Sequence, residues 1–246
     1  QSPSYDGINY SEVDMTLSNG NGAITSNKNI LLNQPSCEKV TAVTHSNGSD
    51  IWLITHNWNS NSFLTYLVSQ NGINTTPIIS NCGTYITSNC YNNNTSSIGY
   101  MKAAPNGGYI AAMYYCYKPQ LFDFDNSTGF VSNERLLPLG NSPTNTNILP
   151  YGVEFSPASN YIYIYDLTGG WASIHQYKLD TSDIISSEHV IVSSIDSSSS
   201  MGLFGSLQLG PDNKIYVAES NKSSLGVIND PNQKGSMSNY KNQAVG

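Results

Sequence analysis

Charge is scarce in this chain: only 11% of its 246 residues are Asp, Glu, Lys or Arg, and ten are basic against seventeen acidic. No run of Lys or Arg occurs, and the net charge of -7 with a pI near 4.8 excludes a nucleic-acid partner, because phosphate binding needs clustered cations. The same balance disfavours anchoring on an acidic membrane surface. No segment approaches the roughly 18 consecutive apolar residues of a membrane helix, so membrane insertion is not expected. The amino terminus lacks the charged-then-apolar order of a signal peptide, and Gln1-Ser2-Pro3-Ser4 fits either a mature terminus left by cleavage or the edge of a longer polypeptide. Strong helical periodicity is missing too.

Reactive motifs are equally sparse. The four histidines, His45, His56, His175 and His189, form no His-Glu-x-x-His spacing, and no Gly-x-Ser-x-Gly elbow accompanies them. A Ser-His-Asp triad could be assembled on paper from so many serines, which is why the sequence singles out none. The four cysteines include no close Cys-x-x-Cys pair, so a zinc site is not expected, nor any other metal or cofactor.

What the chain does have is a phrase repeated four times: a polar turn with Pro or Asn-Gly, then an alternating apolar strand. Ser46-Asn47-Gly48-Ser49-Asp50 precedes Ile51-Trp52-Leu53-Ile54, and Ala104-Pro105-Asn106-Gly107-Gly108 precedes Tyr109-Ile110-Ala111-Ala112-Met113. Ser156-Pro157-Ala158-Ser159-Asn160 precedes Tyr161-Ile162-Tyr163-Ile164, and Gly210-Pro211-Asp212-Asn213 precedes Lys214-Ile215-Tyr216-Val217. Pro105 to Pro157 is 52 residues and Pro157 to Pro211 is 54, with the first copy about 59 before the second; a period near 50 marks a propeller or solenoid. Seventeen Tyr and about thirty Asn among abundant Ser, Thr and Gly fit short strands joined by many turns.

These features predict an all-β fold, a β-propeller of four-stranded antiparallel blades, with four to five blades' worth in one domain over 1–246. The repeats run approximately 1–34, 35–83, 84–142, 143–197 and 198–246. Inner strands are expected at Val40-Thr44, Ile98-Ala103, Tyr151-Phe155 and Gly205-Leu209, where small residues suit converging blades. Tyr10-Met15 followed by Ile30-Leu32 reads as the third and fourth strands of a blade without its first half. The carboxyl terminus reads as stopping after a third strand, so the domain is expected to be incomplete at both ends.

Several of these runs resemble a known family. Tyr10-Ser11-Glu12-Val13-Asp14-Met15-Thr16-Leu17, Glu38 through His45, Trp52 through Trp58 and Ile98-Gly99-Tyr100-Met101-Lys102 resemble the WD40-like β-propeller of secreted and cell-surface proteins of Bacteroidota, of the gliding-motility and type 9 secretion-associated kind. So do Leu121 through Gly129, Tyr151 through Pro157 and Gly205 through Asp212. The resemblance implies a fragment of a surface or adhesin-like protein, located outside the cell or on its surface, and supplies no catalytic residues.

The leading functional expectation is therefore a non-catalytic surface propeller that binds a glycan or a surface protein, or neighbouring copies of itself. Its candidate ligand-binding residues are His56, Trp58, Tyr100, Tyr151, Trp171 and Phe204, aromatic groups that the strand parse puts on one rim, where they could stack on sugar rings. A structural role, as packing between blades, competes with that reading. Cys37, Cys82, Cys90 and Cys116 map to the same rim; Cys82 with Cys90 closes the smallest loop, leaving Cys37 with Cys116. Asp123-x-Asp125-x-Ser127-x-Gly129 imitates a calcium loop, but Thr128 stands where the loop wants glycine, and a hairpin explains it equally. The alternatives are a hydrolase of lactonase or glycosidase type and a subunit of an extracellular filament. The hydrolase requires polar groups converging at the channel mouth, for which Glu154, Lys102 and Gln208 on inner strands are the candidates.

Overall fold

The computed structural model describes residues 7–87, 95–139, 149–167, 172–193 and 205–246. Four antiparallel sheets form a four-blade β-propeller arrangement, and the only helix among the described residues is short 3-10 turns. Two small sheets precede the blades. Strand β1 (Ile8–Tyr10) pairs with β4 (Ile30–Asn33), and between them β2 (Val13–Asp14) pairs with β3 (Ala23–Ile24).

The first blade comprises β5 (Ser36–Thr44), β6 (Ile51–Asn57), β7 (Ser62–Ser69), β8 (Gly72–Ile73) and β9 (Ile78–Asn81), with β8 and β9 both pairing with β7. The second contains β10 (Met101–Ala103), β11 (Tyr109–Ala112), β12 (Gln120–Asp125) and β13 (Phe130–Leu136). The third contains β14 (Pro150–Phe155), β15 (Tyr161–Asp166), β16 (Ser173–Lys178) and β17 (His189–Ser193). The fourth contains β18 (Gly205–Leu209), β19 (Ile215–Glu219), β20 (Leu225–Ile228) and β21 (Tyr240–Val245).

Alternation along each second strand builds the cores. A strand between two blades is buried on both faces, so its odd and even residues serve different neighbours. In β15, Ile162 and Ile164 enter the core shared with the second blade, while Tyr161, Tyr163 and Tyr165 enter the core shared with the fourth. In β11, Ile110 and Ala112 face the first blade, while Ala111 faces the third. Each fully buried Ile or Phe contributes about 1.5–3 kcal/mol of apolar transfer.

The repeated phrase has one backbone solution. The fourth residue of each turn donates its N–H back three positions: Gly48 to His45, Gly107 to Ala104, Ser159 to Ser156 and Asn213 to Gly210. All four sit at positive φ, between 58° and 75°, which explains the Gly and Asn there. Where inner strands converge, Gly152 approaches so closely that an added Cβ would lie 2.3 Å from the Gly205 carbonyl oxygen.

Two expectations need correcting. The fourth blade does have a fourth strand, β21, whose Tyr-Lys-Asn-Gln-Ala-Val sequence is mostly exposed and carries no alternating apolar signal. The run Tyr10-Met15 is not one strand, because β1 ends at Tyr10 and Val13-Asp14 turns into a separate hairpin. The amino-terminal sheets still dock on the first blade, with Tyr66 Oη donating to Leu32 O at 3.1 Å and Asn33 Nδ2 to Asn57 Oδ1 at 3.2 Å.

Candidate active site

Three inner strands from three consecutive blades bring one polar group each toward the axis. Lys102 on β10 places Nζ 3.0 Å from Glu154 Oε2 on β14 and donates to Gln208 Oε1 on β18 at 2.7 Å. Glu154 is anchored further: its Oε1 accepts from Phe155 N at 2.9 Å and its Oε2 from Leu209 N at 2.9 Å. Only 5% of the Glu154 side chain is exposed against 18% for Lys102, so the carboxylate is a buried support and the ammonium is the group nearer solvent. A carboxylate with this many donors is fixed in position and holds the lysine in place.

Lys102 lines a cavity of about 550 Å³ with Glu38 and Thr41 from β5, Gly99 and Tyr100 ahead of β10, and Tyr151 of β14. Tyr100 and Tyr151 meet with ring centroids 5.4 Å apart, and Tyr100 N donates to Tyr151 O at 2.9 Å. Burial, and next the neighbouring Tyr100 and Glu38, push the Tyr151 hydroxyl above its ordinary pKa. Glu38 is exposed at the cavity edge, and no ion pair holds it among the described residues. Thr41 Oγ1 accepts from Ala103 N at 3.1 Å and ties β5 to β10 at this level.

The other expected site residues fall elsewhere. His56 is 1% exposed and lies edge-on to Phe63 (centroids 4.8 Å) and Tyr114 (5.3 Å), inside the core between the first two blades. Burial, and secondarily the charge of Lys39, depress its pKa to about 3, so it is a neutral packing group. Trp58 is half-buried in the turn after β6, its backbone N–H donating to Asn57 Oδ1 at 3.0 Å, and does not line the cavity. Trp171 and Phe204 lie outside the described residues.

Neither expected disulfide pairing forms, since Cys37 and Cys82 are both free thiols. Cys37 turns into the core, with Sγ 3.9 Å from His56 Nδ1 and 3.6 Å from Asn57 O. Cys82 packs at the edge of the core between the first two blades. Cys116 is not among the free thiols, and Cys90 lies outside the described residues. The calcium-like run is committed to other bonds: Asp125 Oδ1 accepts from Ser127 N and Oγ, closing the hairpin, and Asp123 pairs with Arg135 and Asn133.

Sequence reading missed Glu38 and Lys39 because β5 begins at Ser36, four residues before the alternating run that marks it; Thr41 lay in the expected strand, but nothing in the pattern singled it out. Lys39 is the least expected of them. It is 2% exposed, donates Nζ to the Ser97 carbonyl, and sits 4.5 Å from the centroid of the Tyr114 ring; burial lowers its pKa to about 8.

No family model and no curated protein matches the chain. Solved structures resemble it in fold. The periplasmic gluconolactonase of Pseudomonas aeruginosa matches with a TM-score of 0.57 and 13% identity over 91% of this chain and 60% of its own. A candidate 6-phosphogluconolactonase from Bacteroides fragilis gives 0.53 and 13% over 93% and 61%, and another from Bacteroides uniformis gives 0.50 and 13% over 85% and 56%. The chain thus spans about three fifths of the length of these structures. The expectation of a non-catalytic adhesin-like propeller is corrected here: the similar structures carry lactonase names, and the polar convergence that the hydrolase alternative required is present.

Proposed function

We propose that the chain is part of a propeller lactonase that opens small sugar lactones at the mouth of its axial channel. The observation that carries this reading is the convergence of Lys102, Glu154 and Gln208 from three blades beside a cavity that also holds a free carboxylate. Structural likeness at this identity speaks to fold, so the chemistry rests on the residues.

The Lys102 ammonium, aimed by Glu154 and Gln208, donates to the lactone carbonyl oxygen and stabilises the negative charge that develops there. Glu38 takes a proton from water as that water attacks the carbonyl carbon. The ring C–O bond then breaks, the ring oxygen leaves as a hydroxyl by taking up a proton, and an aldonic acid is released. Tyr100 and Tyr151 offer apolar faces and hydroxyls to the sugar. Among the described residues that line the cavity, Lys102 is paired with Glu154 and Lys39 is buried, so neither is a free cation for a phosphate, which favours an unphosphorylated lactone. A secreted or periplasmic setting of the Bacteroidota kind suits such a substrate and is part of this proposal; among the described residues no helix is long and apolar enough to cross a membrane.

The test is acid release from gluconolactone followed by pH-stat. Lys102→Met and Glu38→Gln are each expected to lower the protein-dependent rate at least tenfold, Glu38→Gln at an unchanged melting temperature and Lys102→Met at a lowered one but still folded at the assay temperature. Rates unaffected by both substitutions would remove the channel mouth as the site.

A further inference from the structure

A second constellation lies on the outer part of the third blade, on strands the channel site does not use. Ser173 and His175 are two apart on β16, so their side chains share one face. His175 Nε2 is 3.2 Å from Ser173 Oγ, and His175 Nδ1 is 2.7 Å from Glu188 Oε1. Glu188 immediately precedes β17, and the pairing of β16 with β17 shifts register between Ile174 and His175, where the side chain meets the carboxylate.

The bonding fixes the proton positions. A carboxylate can only accept, so Nδ1 carries the hydrogen, and Nε2 is left with a lone pair directed at the Ser173 hydroxyl. The His175 side chain is 5% exposed and that of Glu188 15%, and Ser173 is half-buried, so the hydroxyl is more accessible than the imidazole behind it. This is a nucleophile in hydrogen-bond reach of a base that a third group orients. A histidine needed only for packing could be bonded on one nitrogen; here both are committed, one to an acid and one to a hydroxyl.

We propose that Ser173 is the nucleophile of a second, acyl-transfer site that acts on esters of small carboxylic acids such as acetate, with His175 as its base and Glu188 as a positioning residue. Ser173 Oγ attacks the ester carbonyl carbon while its proton passes to His175 Nε2. The C–O bond to the alcohol breaks, and the departing oxygen takes that proton. Water, deprotonated by the same nitrogen, then releases the carboxylic acid and restores the serine. The half-buried hydroxyl restricts the acyl group to a few atoms.

The experiment treats the whole chain with a biotinylated fluorophosphonate and locates the adduct by peptide mass spectrometry. The expected result is a single stoichiometric adduct on Ser173, absent from Ser173→Ala and formed at least tenfold more slowly by Glu188→Gln, with both variants melting as the wild type does. Lys102→Met is expected to label at the wild-type rate, which separates this site from the channel. No adduct, an adduct on another serine, or labelling of Glu188→Gln at the full rate would overturn the proposal.

Discussion

His56 shows what burial does to one side chain in this molecule. Its folded pKa of about 3, against an ordinary 6.5, means that the imidazole takes up its proton on unfolding rather than in the native state. The unfolded chain therefore binds the extra proton between those values. Stability is complete above about pH 6.5 and falls as pH drops toward 3, at about 1.4 kcal/mol per unit from this group. Asp14, Asp125 and Asp183, whose pKa values are lowered by hydrogen bonds from their own turns, and Asp212, lowered chiefly by the Tyr216 hydroxyl, add acid lability of the same sign. Their share is common to wild type and variant, so denaturant titrations of His56→Gln across pH 4–7 are expected to show a shallower pH dependence than wild type; parallel curves would contradict the assignment. At the channel mouth, Glu154→Ala strands Lys102 and the N–H groups of Phe155 and Leu209, and is expected to cost about 3–5 kcal/mol in denaturant titration. Glu154→Gln, which keeps the shape and an acceptor, should cost clearly less. The sequence made Glu154, Lys102 and Gln208 legible as inner-strand polar groups, because alternation and period located those strands. It could not reveal Glu38 or the Ser173, His175 and Glu188 set, whose proximity depends on strand starts and on a register shift.

Among the elements, the inner strands depend on the absence of side chains at their crossing. A methyl group at Gly152 would meet the Gly205 backbone, which cannot move without shifting β18, and one at Gly205 would lie 2.2 Å from the Tyr165 ring. Gly152→Ala is expected to destabilise the fold by about 1–3 kcal/mol in urea unfolding, an overpacking cost. A neutral substitution would show that the third and fourth blades slide apart freely. The second and third strands were the most readable elements, since they are buried on alternating faces and the alternation survives in sequence. Edge strands were not: β21 is exposed along nearly its whole length, and only its pairing with β20 defines it.

At the scale of the molecule, three inter-blade cores hold four sheets together, and the axis they leave collects charged groups from separate blades. Composition had pointed to a propeller, and the period to four to five blades' worth, but no property of a single repeat encodes a site assembled from three. The leading functional expectation failed for that reason: rim aromatics are visible in sequence as a class, whereas convergence on an axis is visible only once the blades are placed. The most direct measurement is pH-stat titration of gluconolactone with the purified chain, its Lys102→Met variant and its Ser173→Ala variant. Lactone opening at the channel requires a rate above the spontaneous one, proportional to protein, abolished in Lys102→Met and intact in Ser173→Ala. A rate indistinguishable from buffer, or one that Lys102→Met leaves unchanged, would contradict it.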